Sequence, residues 1–264
     1  MEKYRFRTVL DKILESKRNE IEARKKSAPL PLLKQQLGQR HALRNFKKSL
    51  EGGRIQLIGE IKRSSPSRGV LREDFEPVAL AAIYQRGGAA SLSVLTDEPF
   101  FGGHLSYIQR IKSAVTLPVL RKDFILEEYQ LYESAAAGSD AVLLIGSILT
   151  ETLLSRLMKQ AEALGMASLV EVHSEADLEK ALASGAEMIG INNRDLRTFQ
   201  VDFRTSERLA AKIPKGKVIV SESGIHSRQE VERLEALGFH AVLIGQAFME
   251  RPDMEEAIHE IMGR

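Results

Sequence analysis

Lysine, glutamate and asparagine stand at the ends of several short apolar runs, and acid–base chemistry is what those residue types could do there. The first run covers residues 55–62 and finishes on Glu60 and Lys62, two positions apart. In an extended strand, residues i and i+2 point the same way, so this acid and this base would share one face. Later runs end on Lys122-Asp123-Phe124, on Glu171-Val172-His173 and on Asn192-Asn193-Arg194-Asp195. A positioned lysine or glutamate can give or take a proton, and an asparagine amide can hold a hydroxyl or a developing oxyanion. Plainer readings exist for each residue. Glu60 and Lys62 could be a structural ion pair plugging a core. Lys122 could pair with Asp123, although neighbours on a strand face opposite sides. Glu171 could be an ordinary hydrogen-bonded acid, Asn192 a turn cap and His173 a loop histidine. The six histidines are scattered without HExxH spacing and there is no cysteine, so no metal and no cofactor is expected.

A second signal is suited to an anion. Ser223-Gly224 and Gly245-Gln246 read as short glycine turns opening onto helix starts. Free backbone N–H groups and the helix dipole favour negative charge there, and glycine lets the backbone approach phosphate oxygens closely.

These groups need a scaffold that brings distant stretches together. From residue 55 onward, strand-like and helix-like patterns alternate. Strands are expected at 55–62, 90–95, 117–122, 141–145, 168–172, 188–192, 218–221 and 241–244. Helices are expected between them at 75–86, 127–137, 150–164, 175–184 and 228–237, several closed by glycine at the C-cap, as at Gly138, Gly165, Gly185 and Gly238. Eight βα units leave two architectures. An open doubly wound sheet usually brings a glycine-rich dinucleotide turn after its first strand, whereas the turn here holds only Gly69. The expected fold is therefore α/β: a (β/α)8 TIM barrel with an N-terminal helical extension. In such a barrel the strand C-termini, where the ionisable residues lie, converge on one cavity. The division expected is one domain over 1–264, with 1–54 as the extension and 55–264 as the eight units. Within 1–54, Thr8 is placed to cap a helix ending before Pro29, followed by helices over 32–37 and 42–50. Lys12, Lys17, Arg18, Arg24, Lys25 and Lys26 are mixed with acids, which reads as a solvated helix face.

The totals agree with a soluble, cytoplasmic protein. The chain has 264 residues, no cysteine and a formal net charge of +2, too near balance to suggest nucleic acid or an anionic membrane. No run of about 18 apolar residues occurs, so no membrane span is expected.

Taken together, Glu-Ile-Lys-Arg-Ser-Ser-Pro-Ser (60–67), Arg-Lys-Asp-Phe (121–124), Glu-Val-His (171–173), Gly-Ile-Asn-Asn-Arg-Asp-Leu (190–196) and Ser-Glu-Ser-Gly-Ile (221–225) resemble the motifs of indole-3-glycerol phosphate synthases. The stretch 10–13 with Lys17 and Arg18 is similar to that family's N-terminal helix. The resemblance covers nearly the whole chain; Gln246 departs from it, standing where a serine or glutamate often follows the glycine. It implies cyclisation of 1-(2-carboxyphenylamino)-1-deoxyribulose 5-phosphate to indole-3-glycerol phosphate, with loss of carbon dioxide and water. Lys122 would be the general acid, a lysine in a dry cationic cavity being tunable to that task. Glu171 would be the general base, with Glu60 and Lys62 positioning the substrate and Asn192 holding an oxygen. Ser65 and Arg194 would bind polar groups, Phe101 and Phe124 would pack the aromatic ring, and the backbone at Ser223, Gly224, Gly245 and Gln246 would take the phosphate. The implied partner is a small phosphorylated substrate, and the implied state a monomer. Another phosphosugar barrel, such as a phosphoribosyl isomerase, or a non-catalytic phosphate-binding barrel would share the phosphate turns. The N-terminal helices could lie over the barrel mouth.

Overall fold

Eight parallel strands close on themselves in the computed structural model, which describes residues 8–263. The first seven residues of the extension, and Arg264, lie outside them. The strands are β1 (Gln56–Ile61), β2 (Ser91–Leu95), β3 (Val119–Lys122), β4 (Ala141–Ile145), β5 (Ala167–Val172), β6 (Met188–Asn192), β7 (Val218–Glu222) and β8 (Ala241–Ile244). Each pairs in parallel with its sequence neighbours, and β8 returns to β1 with Gln56 opposite Ala241. Closure leaves no strand edge unpaired. This is the (β/α)8 barrel expected from the alternating pattern.

Alternation along each strand separates two cores. Outward side chains such as Leu57, Ile61, Val170, Val172 and Ile189 pack under the surrounding helices. Inward ones such as Ile58, Leu120, Leu143, Leu169, Met188, Val220 and Leu243 fill the barrel. The period of two then carries the inward row beyond its last apolar member. Ile58 leads to Glu60, Leu120 to Lys122, Leu169 to Glu171 and Met188, across Gly190, to Asn192. Hydrocarbon fills the lower barrel, and ionisable groups occupy its top layer.

The segment before the barrel runs from its mouth to its bottom: Leu10 and Ile13 of the first helix join the core that holds Phe124 and Phe101 at the mouth. Helix α1 (Val9–Ser27) begins with a capping box in which Thr8 and Asp11 satisfy each other's backbone N–H. Helix α2 (Leu30–Gln36) follows and packs on the helix Glu128–Ala136. The helix expected over 42–50 is confined to Phe46–Ser49. The reason is local: the Arg44 backbone N–H donates to Asp140 Oδ1 at 2.6 Å, and its guanidinium reaches the carbonyls of Leu117 and Lys112. Those bonds hold 42–45 extended against the barrel bottom, where Phe46 and Leu50 join the inner core. The loop after β1 also carries more order than expected, a short antiparallel ladder pairing Ser64–Ser65 with Gly69–Val70.

Lys17 corrects the reading of α1 as a solvated face. It is 1% exposed, and its Nζ lies 2.8 Å from Asp123 Oδ1, 2.9 Å from Asp97 Oδ2 and 2.8 Å from Glu20 Oε2. Asp123 is further held by the buried Arg121, whose guanidinium donates to Asp123 Oδ2 at 3.0 Å. Mixed charge on a helix does not by itself reveal which cation meets acids at the ends of two strands. Removing one partner of a buried ion pair leaves charge uncompensated, at a cost of about 3–5 kcal/mol. Lys17→Met should lower the free energy of unfolding in urea by that amount; an unchanged midpoint would contradict this anchoring. No helix among the described residues is long and apolar enough to cross a membrane.

Candidate active site

One cavity at the C-terminal end of the barrel is lined by every residue to which the sequence reading gave a site role: Glu60, Lys62, Ser65, Phe101, Lys122, Phe124, Glu171, Asn192, Arg194, Ser223, Gly224, Gly245 and Gln246. Its centre is Lys122. The ammonium lies 2.8 Å from Glu171 Oε2 and 3.1 Å from Glu222 Oε2, contacts that cross from β3 to β5 and β7. Lys122 therefore does not pair with Asp123, which faces the other way toward Lys17 and Arg121.

Electrostatics around this lysine overturn the expected cationic cavity. Burial would pull the Lys122 ammonium down, but the carboxylates of Glu171, Glu222 and Glu60 outweigh it and hold the lysine well above its ordinary range. The two carboxyls that share it are driven apart. Burial raises both, but Lys122 and His173 keep Glu171 below the usual glutamate value. Glu222 is pushed up to about 8, by burial first and then by the charge of Glu171, despite the opposing pull of Lys122. Near neutral pH, the resting site holds an ammonium, one carboxylate and one protonated carboxyl.

That asymmetry has a measurable consequence. Between the ordinary glutamate value and about 8, the folded protein keeps on Glu222 a proton that the unfolded chain has released, so stability falls as pH rises through this window. Glu171 is shifted downward, so its contribution is lost only as pH falls below the ordinary glutamate range. Glu222→Gln removes the first effect. Urea unfolding from about pH 5 to about pH 9 should show the variant losing less stability than the parent; parallel profiles would contradict the assignment.

Sequence reading gave Glu222 no role because the seventh strand was expected to stop at Ser221. The alternation Val218, Val220, Glu222 is the signal that finds it, since it is the next inward residue. Space for its carboxylate comes from Gly190 on β6: a Cβ there would lie 2.1 Å from Glu222 Oε1.

Around this centre the other groups take definite positions. Glu60 and Lys62 form a close ion pair, and the Tyr84 hydroxyl donates to the Glu60 carbonyl at 2.9 Å from behind the sheet. Asn192 Oδ1 accepts the Arg194 backbone N–H at 3.0 Å, so it does cap a turn, and its amide nitrogen is the end left to donate. The Arg194 guanidinium reaches Gln246 Oε1 at 3.4 Å, which ties the ends of β6 and β8 together. Gln246 also donates to Glu250, so its side chain is engaged beside the turn. Phe101 sits in the short helix Glu98–Phe101 and its ring lies 6.2 Å from that of Phe124, making an apolar wall. Across from it, Ser223 and Gly224 both adopt positive φ (67° and 75°), a left-handed pair that glycine tolerates and serine does at a cost. The helix after this turn begins only at Arg228, whereas Gly245 leads straight into Gln246–Met249. The turn at 223–224 thus offers backbone rather than a helix end. Among the described residues, no group of three or more His, Asp or Glu is arranged to hold a metal ion.

A family model described as indole-3-glycerol phosphate synthase matches residues 10–261. The chain belongs to this family. Indole-3-glycerol phosphate synthase from Desulfosudis oleivorans is 45% identical over 258 residues, covering 96% of this chain and 98% of that protein. The proteins of the same name from Caldanaerobacter subterraneus subsp. tengcongensis and Geobacillus thermodenitrificans are 45% and 44% identical over 258 residues, each covering 97% of this chain and 99% and 97% of the relative. For this member of the synthase family, the match runs from α1 to the last helix and so includes all eight strand ends.

Proposed function

We propose that this cavity closes the indole ring of 1-(2-carboxyphenylamino)-1-deoxyribulose 5-phosphate and expels carbon dioxide and water, giving indole-3-glycerol phosphate, a carboxy-lyase step of tryptophan biosynthesis. The observation that carries the reading is the position of the Lys122 ammonium between Glu171 and Glu222, in the cavity that also holds the turns at Ser223–Gly224 and Gly245–Gln246. An acid and a base with separated proton affinities lie within reach of one molecule anchored by its phosphate.

The chemistry follows from those states. The carboxylate-bearing carbon of the aromatic ring attacks the ketone carbon, and the carbonyl electrons move to oxygen, which takes a proton from Lys122 Nζ. The bond to the carboxylate then breaks, carbon dioxide leaves, and its electron pair restores the aromatic ring. The new hydroxyl takes a proton from the Glu222 carboxyl and departs as water as the amine nitrogen pushes electrons toward it through the aromatic ring, and Glu171 removes the proton from the adjacent ring carbon. At rest Lys122 is protonated and Glu171 is ionised, the protonation states that an acid and a base require. Glu222, still carrying a proton near neutral pH, keeps a second donor beside the first. Glu60 and Lys62 hold the sugar chain, and Asn192 donates to a substrate oxygen. The aromatic ring lies against Phe101 and Phe124, Ser65 and Arg194 bind polar groups, and the backbone of the two glycine turns takes the phosphate. Supplying the substrate and following indole fluorescence tests the reading: product should form with the protein alone, and a flat trace would refute it.

A further inference from the structure

His173 is a partly buried ionisable group beside the mouth, its side chain 12% exposed, that this scheme leaves unused. It follows Glu171 by two residues, so both side chains leave β5 on one side. Its Nε2 lies 3.3 Å from Glu171 Oε1. That carboxylate oxygen and both ring nitrogens of His173 are buried and take no hydrogen bond among the described residues. Native proteins rarely leave such atoms unmatched, and here an unmatched acceptor lies beside an unmatched nitrogen. The other acids near the ring are already engaged. Asp177 Oδ2 accepts the His173 backbone N–H and the Ser174 hydroxyl, and Asp195 Oδ1 accepts the backbone N–H groups of Arg197 and Thr198. His173 does not line the cavity, so it meets the substrate only through Glu171.

We propose that His173 is a positioning residue for Glu171, donating from Nε2–H to Oε1 so that the carboxylate is held between the imidazole and the Lys122 ammonium. The inference rests on the reading of Glu171 as the base. The other groups that hold this carboxylate, the Lys122 ammonium and the Glu222 carboxyl, are both proton donors to the reaction, so it is free to turn once their protons have gone. A further donor behind it keeps the accepting lone pair aimed at the substrate carbon through dehydration. An imidazole suits this position because it donates from a rigid ring within a buried pocket.

The test compares His173→Leu, which removes the donor, with His173→Gln, which restores an N–H, with kcat expressed per folded molecule. Loss of an orienting partner should lower kcat of His173→Leu about tenfold with KM within about twofold, and His173→Gln should recover most of it. Equal impairment of both, impairment of neither, or a loss carried by KM would overturn the proposal. Combining His173→Leu with Glu171→Gln separates this role from mere packing. With the carboxylate gone, the histidine change should add no further loss, and a renewed tenfold drop would count against it. If Glu171→Gln itself turned over like the parent, the base reading would fail instead, a result distinguishable from failure of the histidine proposal.

Discussion

Lys122→Ala is expected to lower kcat by about a thousandfold, toward the upper part of what a positioned general acid supplies. Two losses combine. The proton donor disappears, and the carboxyls that shared it, Glu171 and Glu222, are left facing each other without a cation. With the ammonium gone, burial acts on Glu171 without the largest charge that opposed it, so Glu171 would gain a proton and cease to be a base. KM should change only a few-fold, because the turns at Ser223–Gly224 and Gly245–Gln246 stand apart from the lysine. Lys122→Arg separates the two effects: the guanidinium would keep Glu171 ionised but does not release a proton, so turnover should stay low. Indole fluorescence measures both variants, and turnover within tenfold of the parent in Lys122→Ala would refute the acid assignment.

Glu171→Gln should be nearly as damaging, lowering kcat at least about a hundredfold with little change in KM. Glutamine matches glutamate in size, and its amide oxygen can still accept from Lys122, so the cavity keeps its shape. It loses the capacity to take the proton whose removal completes dehydration. Mild and equal effects on kcat and KM would mean that Glu171 only lends charge to the site.

Much of this arrangement was legible because a strand has a period of two and a barrel has one open mouth. Glu60, Lys122, Glu171 and Asn192 each continue an inward apolar row, so residue spacing alone put them on a shared side. Closure of the sheet then brought them to one cavity, as alternating strand and helix patterns implied. Glu222 was hidden by a single residue, since ending its strand at Ser221 turned an inward side chain into a loop residue. The sign of the field around Lys122 was hidden for a related reason, as it depends on which carboxylates meet across strands far apart in sequence. Lys17 failed similarly. On α1 it stands between Ile13 and Ile21 on the buried face, but only the docking of that face against Asp97 and Asp123 supplies the acids that make it a buried anchor. Local patterns report which way a side chain points, while charge environment is set by partners that tertiary packing supplies.

A single turnover of Glu171→Gln, quenched at intervals and assayed for both carbon dioxide and indole-3-glycerol phosphate, addresses the division of labour at the mouth most directly. With Lys122 intact, ring closure and decarboxylation should proceed and carbon dioxide should appear well before the indole product. Carbon dioxide and indole slowed together, in step, would contradict separate roles for the lysine and the glutamate.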